Sequence, residues 1–278
     1  MTWLAFVGLG LAFRESLTNA AIETLRSADA AYLENYTSPL LGLDLQQLES
    51  LIGKKLVVLE RNGLEGKGIT KFLDSAAGRN VALATAGDPF IATTHISLRN
   101  DAKARGFDVI YIPGVSAYTT AFSLSGLQIY RAGPPATIVT PSGLYHPTSQ
   151  FSKAFRNLAQ GLHTLFFLDV DLPHRKFMTF SEGAELFGKA IHAKGLLASE
   201  VLGIGLSKLG SREQLGVCES VEKLSNLRNN MVPHSLIIPG YLDDIERRAL
   251  IFLGAEPRLI ESHEKSIRAI SSKLHLEP

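Results

Sequence analysis

The chain has 278 residues, 45% of them hydrophobic, and 28 basic residues stand against 27 acidic ones for a net charge of +1. That composition describes one large or two medium domains with real cores. It excludes a disordered chain and a broad basic nucleic-acid footprint, though not a local basic patch. The single Cys218 excludes an intrachain disulfide and a multi-cysteine metal site, fits a reducing cytosol, and reads as a small buried thiol on a strand. Arg14 and Glu15 interrupt the apolar N-terminus and no basic segment precedes it, so no signal peptide is expected. No run of about 18 apolar residues exists, so no membrane-spanning helix is expected either.

Residues 3–7 (WLAFV) are continuously apolar, as in a parallel strand buried on both faces, and Gly8-Leu9-Gly10-Leu11 follows at once. Thr18 is placed to cap a helix through about 27, with Ile22 and Leu25 inward. This strand, glycine turn and helix is not a dinucleotide fingerprint, because Phe13 stands where the third glycine belongs. Residues 30–34 form the second expected strand, 35–39 (NYTSP) a polar loop, 43–52 a helix and 55–59 a strand. The glycines and Lys67 of 61–68 are too closely spaced for a phosphate loop, and a helix is expected over 69–77.

Residues 81–86 (VALATA) read as another buried strand that ends in Gly87-Asp88-Pro89, followed by a helix with Leu98 and Ala102 inward and a strand over 109–112. A glycine, a carboxylate and a proline at the C-terminal end of a buried strand stand where ligands bind in open α/β sheets. Residues 113–117 (PGVSA) make a third such loop, with Ser116 placed to cap the next helix. Tyr118 excludes a nucleophile elbow. Alternation of strands and helices predicts a mostly parallel sheet with right-handed crossovers.

Gly133-Pro134-Pro135 is the main composition break and the expected inter-domain linker. Beyond it come a strand (136–139), a loop bearing Tyr145 and His146, and a helix with Phe151, Phe155 and Leu158 on one face. An apolar strand (163–170) follows, with Asp169 and Asp171 at its end; on a strand both face one way. Next are a helix over 179–190, strands 201–206 and 214–218 joined around Gly210, an apolar strand entered at His234, a helix over 242–253, and an amphipathic, peripheral tail from about 256.

The segments VGLGL (7–11), YTS (36–38), GDPFIATTH (87–95), GLQIY (126–130), GLHTLFFLDV (161–170), KLGS (208–211) and PHSLIIPG (233–240) resemble the tetrapyrrole-methylase-like family of S-adenosylmethionine-dependent methyltransferases. Within it they resemble the diphthine synthases: the GDP-x-x-ATTH and GLHTL-x-FLD strings are specific to that group, while the GLG and GDP elements mark the wider superfamily. The resemblance implies an α/β fold in two domains, 1–132 with a mostly parallel sheet and 133–278 with a mixed one, and S-adenosylmethionine held in the cleft between them. It implies a cytoplasmic homodimer that methylates a 3-amino-3-carboxypropyl-histidine on translation elongation factor 2, up to three times, to form diphthine in diphthamide biosynthesis. S-adenosylhomocysteine is the product, and no metal, membrane or direct nucleic-acid contact is implied.

Carried over residue by residue, the cofactor meets Leu11, Asp88, Ile91, Ser116, Ala117, Leu168, Leu209 and His234. Tyr36, Thr37, His95 and His146 are expected substrate contacts, and no general base stands out. This chain departs from the pattern at Ala12, Phe13, Arg14 and Glu15, where an acidic stretch is expected, and its tail past Arg258 is longer. The rival readings are a tetrapyrrole or corrin-precursor methylase, a ribosomal RNA methylase, which the balanced charge disfavours, and a non-catalytic S-adenosylmethionine-binding protein.

Overall fold

Largely apolar runs build the first sheet. In the computed structural model, which describes residues 2–142 and 148–275, these runs are β1 (Trp3–Gly8), β2 (Ala30–Glu34), β3 (Leu56–Leu59), β4 (Val81–Thr85) and β5 (Asp108–Ile112). They lie in the order β3-β2-β4-β1-β5 and every pairing is parallel. β1 and β4 are central and fully covered, which is why their sequences carry no polar alternation. Helices α1 (Asn19–Ser27) and α2 (Leu45–Ile52) seal one face through Leu25, Leu48 and Ile52. The short α3 (Arg61–Leu64), α4 (Lys67–Ala76) and α5 (His95–Ala104) seal the other through Leu64, Phe72, Leu73, Leu98 and Ala102.

The Thr18 hydroxyl caps α1 by accepting the Ala21 N–H, a contact that stabilises a helix by about 1 kcal/mol. The glycine-rich stretch at 61–68 is a packing device. A Cβ on Gly68 would lie 2.1 Å from the Asn62 carbonyl oxygen, so α4 closes on α3 only with glycine there.

The second sheet has the order β11-β10-β12-β7-β6 and is mixed. Its strands are β6 (Ala136–Ile138), β7 (Thr164–Leu168), β10 (Leu202–Ser207), β11 (Leu215–Ser220) and β12 (His234–Ile238); β6 and β7 run parallel and the other pairs antiparallel. After β7 the chain makes a small ribbon, β8 (Val170–Asp171) with β9 (Lys176–Phe177). Helices α6 (Ala117–Ser125), α7 (Ser149–Ala159), α8 (Phe180–Ala193), α9 (Val221–Asn226), α10 (Asp244–Phe252) and α11 (Pro257–His275) accompany this sheet. Phe151, Phe155 and Leu158 of α7 are buried in its core, as their spacing requires.

Two compact units result. The first holds Met1–Ala117, Asp171–Arg175 and Gly210–Arg212; the second holds Tyr118–Val170, Lys176–Leu209 and Glu213–Pro278. The units part at the start of α6, upstream of the break at 133–135. Gly133-Pro134-Pro135 is bound into the second unit instead: the Gly133 N–H donates to His163 O at 2.8 Å and Asn157 Nδ2 donates to Pro134 O at 3.0 Å.

The tail is not peripheral. α11 buries Ile260, His263, Ile267 and Ile270, and Ile267 and Ile270 belong to the core of the second unit. His263 Nδ1 accepts the Leu202 N–H at 3.1 Å, which ties the tail to the entry of β10.

Candidate cofactor site

The three glycine-bearing loops meet within the first unit. They leave the C-terminal ends of β1, β4 and β5, and sheet order makes these strands neighbours. β1 and β4 stay paired past their ends: Gly10 N–H donates to Gly87 O at 3.2 Å and Gly87 N–H to Gly10 O at 2.7 Å. Gly114 of the third loop closes the junction. A Cβ on Gly114 would stand 2.1 Å from Gly87 O, and one on Gly8 would stand 2.5 Å from Gly114 N. Three backbones therefore touch with no side chain between them, at the end of the sheet where ligands bind in open α/β folds.

Asp88 is buried at this junction and hydrogen-bonded to it through both carboxylate oxygens. Oδ1 accepts the Phe90 N–H at 2.9 Å, and Oδ2 accepts the Tyr111 hydroxyl at 2.5 Å and the Gly114 N–H at 3.3 Å. Leu11 and Ser116 are buried beside their turns, Ala117 is half-buried, and Ile91 is exposed. Gly210, from the connection between β10 and β11, packs on Leu11; a Cβ there would lie 2.8 Å from Leu11 Cβ. Ala92, next to Ile91, holds a left-handed φ of 57°, strain of the kind that collects at ligand loops.

In the second unit Leu168, Leu209 and His234 gather at one end of the sheet. β12 is antiparallel to both β7 and β10, so its first residue, His234, sits opposite Ser207 and at the level where β7 ends in Leu168. Leu209 follows in the turn, which Lys208 enters with a φ of 47°. His234 Nδ1 accepts the Phe180 N–H at 2.9 Å, and its ring stacks on Phe180 at 4.8 Å. The proton is therefore on Nε2, which is buried with no hydrogen-bond partner among the described residues. Burial lowers the imidazole to about 4, so His234 is a neutral donor at working pH.

The expected substrate contacts fall out unevenly. Tyr36 and Thr37 sit on a turn pinned by Glu34, whose Oε1 accepts both of their N–H groups at 2.8 and 2.7 Å, while Glu34 Oε2 accepts the Thr85 hydroxyl at 2.6 Å. The Tyr36 hydroxyl is buried with no hydrogen-bond partner among the described residues. His95 is buried, and its Nδ1–H donates to Pro89 O at 3.1 Å. Burial lowers its pKa, against the opposing pull of Glu34. Tyr145 and His146 lie outside the described residues.

Asp169 and Asp171 do not face one way, because β7 stops at Leu168. Asp169 Oδ2 accepts the Thr140 N–H at 3.0 Å, and Asp171 pairs with exposed His174 at 2.8 Å. Among the described residues no group of three or more His, Cys, Asp or Glu is arranged to hold a metal. No helix among them is long and apolar enough to cross a membrane.

Residues 4–190 match the family model of the tetrapyrrole (corrin/porphyrin) methylases. The chain is 36% identical to the diphthine synthase of Staphylothermus marinus over 92% of this chain and 96% of that protein. It is 33% identical to that of Methanocaldococcus jannaschii over 90% and 98%. A crystal structure of diphthine synthase superposes with a TM-score of 0.83 at 30% identity, covering 94% of this chain and 99% of that one. The chain belongs to the diphthine synthase family.

The lip of the first loop, where the resemblance implies an acidic stretch, is held by contacts of its own. Phe13 is a buried core residue whose N–H donates to Leu41 O at 2.7 Å, and Arg14, at φ 70°, hydrogen-bonds Gln47 of α2. The lip is thus fastened to α2. Two residues that sequence reasoning missed also complete the loops: Tyr111, which read as an ordinary strand residue, and Gly210, which read as a turn. Both act through contacts between residues far apart in the chain. A cavity of about 260 Å³ in the second unit, lined by Val139, Phe151, Leu186 and Lys189 among others, contains none of the expected site residues.

Proposed function

We propose that this chain is an S-adenosylmethionine-dependent N-methyltransferase. It adds up to three methyl groups to the amino nitrogen of the 3-amino-3-carboxypropyl-histidine of translation elongation factor 2, giving diphthine in diphthamide biosynthesis. The observation that carries the reading is the side-chain-free junction of Gly8, Gly87 and Gly114, in a chain 36% identical to a diphthine synthase over 96% of that protein.

The residues fit such a cofactor. In the first unit Leu11, Asp88, Ile91, Ser116 and Ala117 would hold it: Asp88 offers an acceptor to a hydroxyl or amine, and Leu11 and Ile91 offer apolar wall, the usual make-up of a small-molecule site. Leu168, Leu209 and His234 are the further contacts that the resemblance implies. Bound S-adenosylmethionine supplies a methyl group already activated on sulfur and leaves as S-adenosylhomocysteine. The protein's share is orientation and exclusion of water. The acceptor amine reacts as the neutral nitrogen. The enzyme works in the cytoplasm as a homodimer, without a metal, a membrane or direct nucleic-acid contact.

The test is incubation of the protein with S-adenosylmethionine and elongation factor 2 carrying the aminocarboxypropyl-histidine, followed by mass spectrometry of that peptide. Gain of one to three methyl groups on the modified histidine is the expected result. No gain, with the cofactor still bound, overturns the acceptor assignment. Asp88→Ala should weaken cofactor binding in calorimetry, and unchanged affinity would remove Asp88 from the site.

A further inference from the structure

A carboxylate has about four acceptor positions. On Asp88 three are taken, two of them on Oδ2 by Tyr111 and Gly114 and one on Oδ1 by Phe90 N–H, which leaves about one, on Oδ1. The Tyr111 bond, at 2.5 Å, has the length of a charge-assisted O–H···O contact; the Gly114 contact, at 3.3 Å, is long. Tyr111 is 46% exposed, yet its ring is held: it lies 5.0 Å from Phe90, Phe90 lies 5.1 Å from Phe6, and the Arg99 guanidinium covers Phe90 at 5.1 Å. Burial and the neighbouring carboxylate push the Tyr111 phenol up to about 12, so it stays a donor at working pH. Without that donor the long Gly114 contact alone would hold Oδ2, and the carboxylate torsion of aspartate is intrinsically broad.

We infer that Tyr111 is a positioning residue: its hydroxyl locks the Asp88 carboxylate to the third loop, so that the remaining acceptor position on Oδ1 meets the cofactor. This rests on the S-adenosylmethionine reading above and assigns a role to a strand residue that makes no expected cofactor contact itself.

The test is calorimetric titration of the full chain with S-adenosylhomocysteine. Tyr111→Phe keeps the ring and its packing and removes only the hydroxyl. It should weaken binding by about tenfold, the scale of a hydrogen bond to a charged group, with the melting temperature unchanged. In an Asp88→Asn background the same substitution should add less than about twofold, because the two residues act as one unit. In turnover the loss should appear in the KM for the cofactor and not in the KM for the acceptor. Tyr130→Phe, on a tyrosine that is 91% exposed in the second unit, is the control and should leave binding unchanged. Wild-type affinity in Tyr111→Phe would overturn the inference and leave the cofactor reading intact. So would an equal loss in the Asp88→Asn background. Failure of the wild-type chain to bind would remove the cofactor reading and this inference together.

Discussion

Gly114→Ala adds a single methyl group at the point where three loops touch. The new Cβ would stand 2.1 Å from Gly87 O and 2.9 Å from both Gly8 Cα and Gly8 C. All three of these nearest atoms are backbone, so no side chain can rotate out of the way. The first of these distances is roughly 1 Å shorter than a Cβ tolerates, and the third loop must back away from the other two by about that much. Misplacement of a positioning group by about 1 Å costs on the order of 100-fold in turnover, or about 2.7 kcal/mol. Gly87→Ala is the informative partner. Its φ of 72° disfavours alanine, but the nearest atom to its Cβ is Leu11 Cδ2 at 4.0 Å, so that substitution costs backbone strain of about 1–2 kcal/mol without pushing the loops apart. Titration with S-adenosylhomocysteine and methyl transfer to elongation factor 2 would both be measured. The expected result is at least a 100-fold loss of turnover for Gly114→Ala and a clearly smaller loss for Gly87→Ala. Equal losses, or a Gly114→Ala variant within twofold of wild type, would refute the argument that backbone contact at this junction sets the site.

Ile267→Ala should destabilise the second unit by about 2–5 kcal/mol and lower its melting temperature by roughly 5–15 °C, because Ile267 is fully buried in α11; a shift under 2 °C in calorimetry would contradict this. Glu246→Gln should cost about 3 kcal/mol in urea unfolding. It places an amide among donors from His163, Gln128, Asp243 and Arg131 that a buried carboxylate now satisfies, and an unchanged midpoint would show the network to be slack. Stability should fall as pH is lowered. Burial holds His234 and His263 at about 4, below the roughly 6.5 of an unfolded histidine; their contribution is full above pH 6.5 and is lost progressively toward pH 4. Burial raises Glu246, but hydrogen bonds from His163, Gln128 and Asp243 outweigh it and hold the carboxyl at about 2. Its contribution is full above about pH 4.5 and is lost as pH falls through 2. A urea midpoint that does not drop between pH 7.5 and pH 5 would refute the histidine assignment.

The parts of the fold legible in the sequence were those set by local chemistry. Thr18 and the unbroken apolar runs of β1 and β4 mark a helix start and doubly covered strands through nearest neighbours and periodicity alone. The three ligand loops were visible for the same reason. What stayed hidden depends on residues far apart in the chain. Nothing local to Tyr111 announces that its hydroxyl meets a carboxylate 23 residues upstream. The amphipathic pattern after Glu256 predicts a helix but cannot say how completely its apolar side will be covered. Likewise Gly133-Pro134-Pro135 has the composition of a linker, and only the bonds it makes with Asn157 and His163 show it to be internal structure. Asp169 and Asp171 fail for a smaller reason: the strand ends two residues earlier than its hydrophobicity suggests.

The first unit is not a continuous piece of chain, since residues 171–175 and 210–212 belong to it and Gly210 packs on Leu11. At about 5–20 residues per second, a ribosome releases Gly210 roughly 5–20 s after Ala117. Through that interval the nascent N-terminal sheet can be formed while its first glycine loop still lacks a covering contact. A fragment cut at Ala117 would stay in that condition permanently.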